Sequence, residues 1–255
     1  MATGEIEAEI EVDCGVADLC GLEEGQFVAA CDDGTVRVIH SGGVLPLPSC
    51  HDDMTITVAV SPERKMVASG GADGVILCWD LHEPANDPYR QEGHKDGVTA
   101  VDWSGNILLS SSKDGRICVW DARNKPWQPV ARVKVGSMAL TAAFCRNGER
   151  ILVGTENLEI HGHDLRGQAM TPMWREKVKA PVRKIRPCPH NSNICAISMD
   201  LPAVHILQVD NGDEFDKPIL GHTDFIRGLS WDPQYAGKLL TGSWDKTVKE
   251  WFIKI

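Results

Sequence analysis

One pattern occurs three times in this chain, in ASGGADGVILCWD (68–80), LSSSKDGRICVWD (109–121) and LTGSWDKTVKEWF (240–252). Each has a Ser or Thr four residues before an Asp and a Trp six residues after it: Ser69, Asp73, Trp79; Ser110, Asp114, Trp120; Thr241, Asp245, Trp251. A histidine lies upstream of each set, at His51, His94 and His222. His51 to His94 is 43 residues; two further steps of 43 reach Ser137 and Ala180, and 42 more reach His222. The period therefore continues through two units that have lost the marker residues. In those units Asn157 and Asp200 take the turn position, and Asp33 in DDGTVRVI marks one more unit at the front. A fixed period of this length means one supersecondary unit repeated, each burying its apolar face against its neighbours.

About 40 residues per unit is room for four short strands. The runs TITVAV, VTAVDW and FIRGLSW are rich in β-branched residues and bounded by Gly, Asp and Pro, with no long helical period between them. A His, Ser/Thr, Asp, Trp set can tie a loop, a second strand, a tight turn and a third strand together by hydrogen bonds. The fold expected is all-β: one β-propeller domain over 1–255, with six four-stranded blades starting near residues 14, 51, 94, 137, 180 and 222. The last unit runs out after its third strand. The alternating stretch GEIEAEIEV (4–12) is expected to supply the missing strand and close the ring.

Composition narrows the function. The net charge of −10 disfavours a nucleic-acid partner, which needs clustered Lys and Arg, and favours basic protein segments. The start MATGEIEAEIEV has neither a cationic n-region nor an apolar h-region, and no membrane-length apolar run occurs, so a cytoplasmic or nuclear protein without membrane contact is expected. Nine cysteines, an odd number set mostly inside strand-like runs, read as reduced core thiols. His161, His163 and Asp164 suggest a metal, but His163 fills the Trp slot of its repeat. Cys188, His190 and Cys195 lack paired metal-ligand spacing, and DNGDEFD (210–216) lacks the terminal Glu of a calcium loop. No metal, cofactor or catalytic residue is expected. The Ser, His and Asp of the repeat recur as structural ties, and no phosphate-binding loop or nucleophile elbow is present.

The tetrads and their order resemble those of WD-repeat β-propellers over essentially the whole chain. Within that family, CGVADLCGLEEGQFVAACDDGTVRVI (14–39), CHDDMTITVAVSPERKMVASGGADGVILCWDL (50–81) and GHTDFIRGLSWDPQYAGKLLTGSWDKTV (221–248) resemble the WD-repeat subunits of methylosomes. The resemblance implies a non-catalytic subunit of a hetero-oligomer. It would bind a type II protein arginine methyltransferase and help present arginine-rich substrates such as histone tails or Sm proteins. Methylosome propellers have seven blades, whereas six units are counted here. Two alternatives stand beside this reading. Trp120-Asp121-Ala122-Arg123 resembles the box by which some propellers dock on a cullin-4 ubiquitin ligase adaptor, and a general scaffold in trafficking or nuclear-pore complexes also fits.

In this family the residue before the turn Asp tends to face the upper rim. Trp244 stands there, where the other units have Asp32, Ala72, Lys113, Glu156 and Met199, so no structural rule demands an aromatic. Trp244 and Lys113 are therefore candidate partner contacts. A second row, three residues past each repeat start, adds Met54, Gly97, Leu140, Arg183 and Phe225, and Arg123 completes the set. The cations of REKVKAPVRKIRP (175–187) are expected to share a face that could meet an acidic partner.

Overall fold

The Asp-Gly pairs of the repeat make hairpin turns. Gly34, Gly74 and Gly115 hold φ of 85°, 79° and 75°, the left-handed conformation that glycine adopts without a Cβ clash. Leu158 (φ 61°) and Lys246 (φ 66°) take the same role without that freedom. The preceding Asp closes each turn by accepting a backbone N–H two residues on: Thr35 to Asp33 (3.0 Å), Val75 to Asp73 (3.0 Å), Arg116 to Asp114 (2.9 Å) and Thr247 to Asp245 (2.9 Å).

The computed structural model describes residues 9–22, 25–63, 65–124, 127–167 and 169–255. Among them, six antiparallel sheets follow one another along the chain as the blades of a six-bladed β-propeller. The first holds β1 (Val16–Gly21), β2 (Phe27–Cys31), β3 (Val36–His40) and β4 (Gly43–Pro46), and the second β5 (Thr55–Val60), β6 (Met66–Gly71), β7 (Val75–Asp80) and β8 (Tyr89–Glu92). The third holds β9 (Val98–Ser104), β10 (Ile107–Ser112), β11 (Arg116–Asp121) and β12 (Pro129–Lys134). The fourth holds β13 (Ala139–Cys145), β14 (Arg150–Thr155), β15 (Glu159–Asp164) and β16 (Thr171–Lys177). The fifth holds β17 (Val182–Pro187), β18 (Ile194–Met199), β19 (Ala203–Gln208) and β20 (Ile219–Leu220), and the sixth β21 (Ile226–Trp231), β22 (Lys238–Ser243) and β23 (Val248–Phe252). The one helical element among the described residues is a 3-10 turn at Arg146–Gly148.

The central strands of the second to fifth blades are buried on both faces, which is why VILCWD and ILLSSS read as continuous runs instead of alternating ones. The outer strand β12 alternates half-buried and exposed. The chain divides into two compact units at Val101 and Asp102. In the first, Val28, Val36, Val58, Val67, Leu77 and Trp79 form one cluster from two successive blades. In the second, each cluster again draws on successive blades, as with Leu152, Ile160, Val182 and Ile197. These clusters each span two blades, whereas Ala29, Cys31 and Ile39 form a smaller one within the first. Aspartates on the innermost strands reinforce this packing. Asp18 accepts the Val58 N–H (3.3 Å), and Asp102 accepts the Phe144 N–H (2.7 Å).

The tetrad is complete in the sixth blade. In the sixth blade the order of donors is fixed, because an indole N–H can only donate. Trp251 Nε1 donates to Thr241 Oγ1 (2.9 Å), Thr241 bonds His222 Nε2 (2.7 Å), and His222 Nδ1 meets Asp245 (2.8 Å). Trp120 likewise donates to Ser110 Oγ (2.9 Å). The second blade differs: His51 bonds Ser69 (2.7 Å) and Asp73 (3.1 Å), but Trp79 Nε1 donates to the Pro48 carbonyl (2.8 Å). Burial lowers the His51 pKa despite Asp73, so the imidazole stays neutral and accepts from the Ser69 hydroxyl.

In the fourth blade Asn157 accepts hydrogen bonds from Ser137 (3.0 Å) and Thr155 (2.5 Å), and His163 fills the Trp slot, 3% exposed. Neither ring nitrogen of His163 has a hydrogen-bond partner, and burial, with a smaller contribution from His161, lowers its pKa to about 4.

Of the closing strand expected over 4–12, residues 4–8 lie outside the described residues; among the described residues, 9–12 form no strand and the sixth sheet has three strands. Val12 packs instead on Ala29, Cys31 and Ile39 of the first blade, where Asp13 pairs with Arg37. With no fourth strand among the described residues beside β23, Trp251 is half-buried, whereas Trp79 and Trp120 are fully buried.

Two outcomes follow. Thr241→Val leaves the Trp251 indole and the His222 imidazole without their shared partner, and is expected to lower stability by about 1–3 kcal/mol, with Thr241→Ser near wild type, read as the urea midpoint at unchanged m value. The folded pKa of His163 is depressed below an unfolded value of about 6.5, so the unfolded chain binds the proton more readily. Stability is fully present above pH ~6.5 and is lost as the pH falls toward ~4, by about 3 kcal/mol for a shift of this size. His163→Met is expected to remove that part of the acid sensitivity, read from unfolding midpoints across this range.

Candidate functional site

Phe225 immediately precedes β21, and Trp244 immediately follows β22. The antiparallel pairing of these strands brings the two aromatics together, and the Trp244 N–H donates to the Phe225 carbonyl (3.0 Å). Their rings lie 5.6 Å apart at 55°. Arg227, two residues along the strand from Phe225, lays its guanidinium 4.7 Å from the Trp244 ring centre and 5.2 Å from that of Phe225. Cation–π contacts of this kind contribute about 0.5–1 kcal/mol each at exposed sites.

The same guanidinium donates to Asp200 Oδ1 (2.6 Å) across the boundary between the fifth and sixth blades. Arg183 binds Asp200 in fork geometry, Nε at 3.0 Å from both oxygens and the terminal nitrogen at 2.5 Å from Oδ2. Arg183, and more weakly Arg227, hold the Asp200 carboxyl below the usual carboxylate range against the opposing effect of burial. The cluster is thus a rigid platform of two rings and two cations fixed by one carboxylate. Trp244 remains 59% exposed at its tip. A large aromatic already held in place has the character of an interface anchor, because little rotamer freedom remains to be lost on binding.

Three of the candidate contacts, Trp244, Phe225 and Arg183, meet here; Met54, Lys113, Leu140 and Arg123 do not take part. Met54 is exposed in the first unit, where its carbonyl accepts the Ala72 N–H (2.9 Å), and Gly97 is buried. Lys113 is exposed at the turn of the third blade, and Leu140 is half-buried in β13. The spacing analysis missed Arg227 and read Asp200 only as a turn marker. The available signal was Phe-Ile-Arg at the head of a strand, where alternation puts the first and third side chains on one face.

Two of the cations of 175–187 are engaged in ion pairs within their own blades. Arg175 pairs with Glu159 of its own blade, and Arg183 pairs with Asp200. Arg123 is held by Asp121 through Nε (2.9 Å) and the terminal nitrogen (2.7 Å). Asp164 and Arg166 repeat this turn in the next blade, and the arginine lowers the Asp164 pKa to about 2. The Asp-x-Arg spacing therefore has a local structural cause. His190 bonds the Asp232 carbonyl (3.1 Å), while Cys188 and Cys195 are buried. In the 210–216 loop, Glu214 pairs with His205 (2.6 Å) and Asp210 with Arg146.

Repeated blades tied by hydrogen-bonded turns, with two aromatics and two arginines gathered on one carboxylate, define a propeller scaffold. The chain folds as a β-propeller and carries WD repeats: the model of the WD domain, G-beta repeat, matches residues 45–80, 87–121 and 216–251. It is similar to the methylosome protein WDR77 of Xenopus laevis, with 25% identity over 94% of this chain and 74% of that protein. It is also similar to dynein axonemal assembly factor 10 of Homo sapiens (27% identity, 48% of this chain, 38% of that protein) and to the protein groucho of Drosophila melanogaster (30%, 44% and 15%). The crystal structure of the WD40 beta propeller domain of Doa1 superposes with a TM-score of 0.79 at 18% identity, covering 96% of this chain and 81% of that one, which speaks to the fold alone.

The two tryptophans flanking the last turn are expected to behave differently. Trp244→Ala should change stability by less than about 1 kcal/mol. Trp251→Ala should lose about 3 kcal/mol, toward the lower end for a truncated aromatic because Trp251 is half-buried. Thermal and urea unfolding of the two variants checks this.

Proposed function

We propose that this propeller is a non-catalytic subunit of the methylosome type, binding a protein arginine methyltransferase and helping to present arginine-rich substrates such as histone tails or Sm proteins. The observation that carries the reading is the exposed Trp244 beside Phe225, locked by Arg227 and Asp200 at the rim of the last two blades. It is supported by similarity to a methylosome protein along 94% of the chain, where the other relatives reported cover less than half. The net charge of −10 suits the steering of cationic tails. Such a subunit works within a hetero-oligomer in the cytoplasm, the nucleus or both.

Affinity capture of the tagged protein from its native extract, with mass spectrometry and a symmetric-dimethylation assay on a histone tail, tests the proposal. Stoichiometric methyltransferase with activity in the eluate is expected. Trp244→Ala should weaken capture by at least about tenfold, as hot-spot truncations exceeding about 2 kcal/mol do. A cullin-4 adaptor captured in its place, with binding abolished by reversing the charge of Arg123, would replace this reading. So would a coat or nuclear-pore subunit.

A further inference from the structure

In the first blade, Val16 stands opposite Cys31. The pairing continues past the strand end, where Gly15 accepts the Asp32 N–H (2.9 Å) and donates its own N–H to Asp32 Oδ1 (2.9 Å). Continuing that register sets Cys14 across from Asp33 and diagonal to Cys31. Cys31 ends β2, and Asp33 lies two residues on, in the hairpin turn. The two sulfurs and a carboxylate oxygen of Asp33 all lie within 4.8 Å of one another. We propose that Cys14, Cys31 and Asp33 form a binding site for a thiophilic divalent cation of the Zn2+ class.

The donor set fits that chemistry. Two thiolates and one carboxylate are ordinary zinc ligands, with bonds of about 2.3 Å to sulfur and 2.0–2.2 Å to oxygen. A tetrahedron with such bonds sets its donors roughly 3.5–4 Å apart, so a small contraction brings the three donors to bonding distance and leaves the fourth position to a water. Both cysteines are free thiols in this structure, so both sulfurs are available as ligands. Cys31 is fully buried among Ala29, Ile39 and Val12, which forms a dry inner wall.

On the outer side, Arg37 pairs with both Asp33 and Asp13, and Thr35 donates its N–H (3.0 Å) and hydroxyl (2.6 Å) to Asp33 Oδ1. These contacts orient the carboxylate, as groups behind a metal ligand do. The arginine charge is balanced by two carboxylates, leaving both thiolate charges for the cation. An open cavity of about 870 Å³ lined by Val12, Asp13, Thr35 and Arg37 lies alongside and offers a route in.

The test is titration of the reduced full chain with Co2+, whose thiolate charge-transfer absorption reports sulfur ligation, followed by displacement with Zn2+ in competition with a chromophoric chelator. A stoichiometric band lost on Zn2+ addition is expected. Cys14→Ser and Cys31→Ser should each weaken affinity by more than the ~10–100-fold typical of losing a residue that only orients a ligand. Cys14→Ser, at a half-buried position, guards against a variant that fails to fold, and Cys50→Ser, at an exposed thiol, should leave the band unchanged. The proposal is overturned by the absence of a thiolate band, by a band that survives both serine variants or follows Cys50, or by peptide mapping that finds Cys14 and Cys31 joined as a disulfide.

Discussion

Each complete blade hangs on a carboxylate at its hairpin turn. Asp73 accepts from the His51 ring, from the Asp52 N–H (3.1 Å) and from the Val75 N–H. Asp245 does the same with His222, the Thr223 N–H (3.1 Å) and the Thr247 N–H and hydroxyl. One side chain thus satisfies donors from the turn and from the incoming loop, groups that would otherwise go unpaired at a buried corner. For Asp245, burial acts to raise the carboxyl pKa, yet the donors hold it well below the usual range, so the charge itself is stabilised by the fold. The histidine extends this tie inward to the hydroxyl and tryptophan of the second and third strands. Loop, turn and sheet are thereby placed as one body.

Where that tie is absent, the same position is put to other use. The fifth blade has no histidine opposite Asp200, and its carboxylate turns to Arg183 and, across the blade boundary, to Arg227. The sixth blade keeps its own tetrad, so its turn stays rigid while carrying Trp244 one residue before Asp245. A degenerate blade beside a complete one is therefore what builds the surface cluster. The first supplies an uncommitted carboxylate, and the second supplies a fixed edge.

The spacing of Asp and Trp made the blades legible, because a turn, a strand and a hydroxyl must recur at constant intervals to make the tetrad. Trp244 and Phe225 were legible too, since comparing equivalent positions isolates an aromatic that no blade requires. Arg227 and Asp200 were not, because their contact joins residues from different repeats, and periodicity describes only what each repeat does within itself. The indole of Trp79 shows the same limit. Its bond to the Pro48 carbonyl depends on the path of a preceding loop that the repeat pattern does not encode. The convergence of Cys14 with Cys31 and Asp33 rests on a strand register with a bulge between Val16 and Asp18, which spacing alone does not fix.

The arginines of the second unit show how one residue type is given different work. Arg123 and Arg166 are folded back onto aspartates two residues upstream, a contact that any exposed turn can make and that little else supports. Surface pairs of this kind contribute little and exchange readily with water. Arg227 is held by a carboxylate from another blade and by two aromatic faces at once. Moving it would disturb Asp200, Phe225 and Trp244 together, so its geometry is settled before a partner arrives. Preorganisation of that kind reduces the ordering lost on association, and it separates an arginine fixed by three neighbours from one that merely closes a turn.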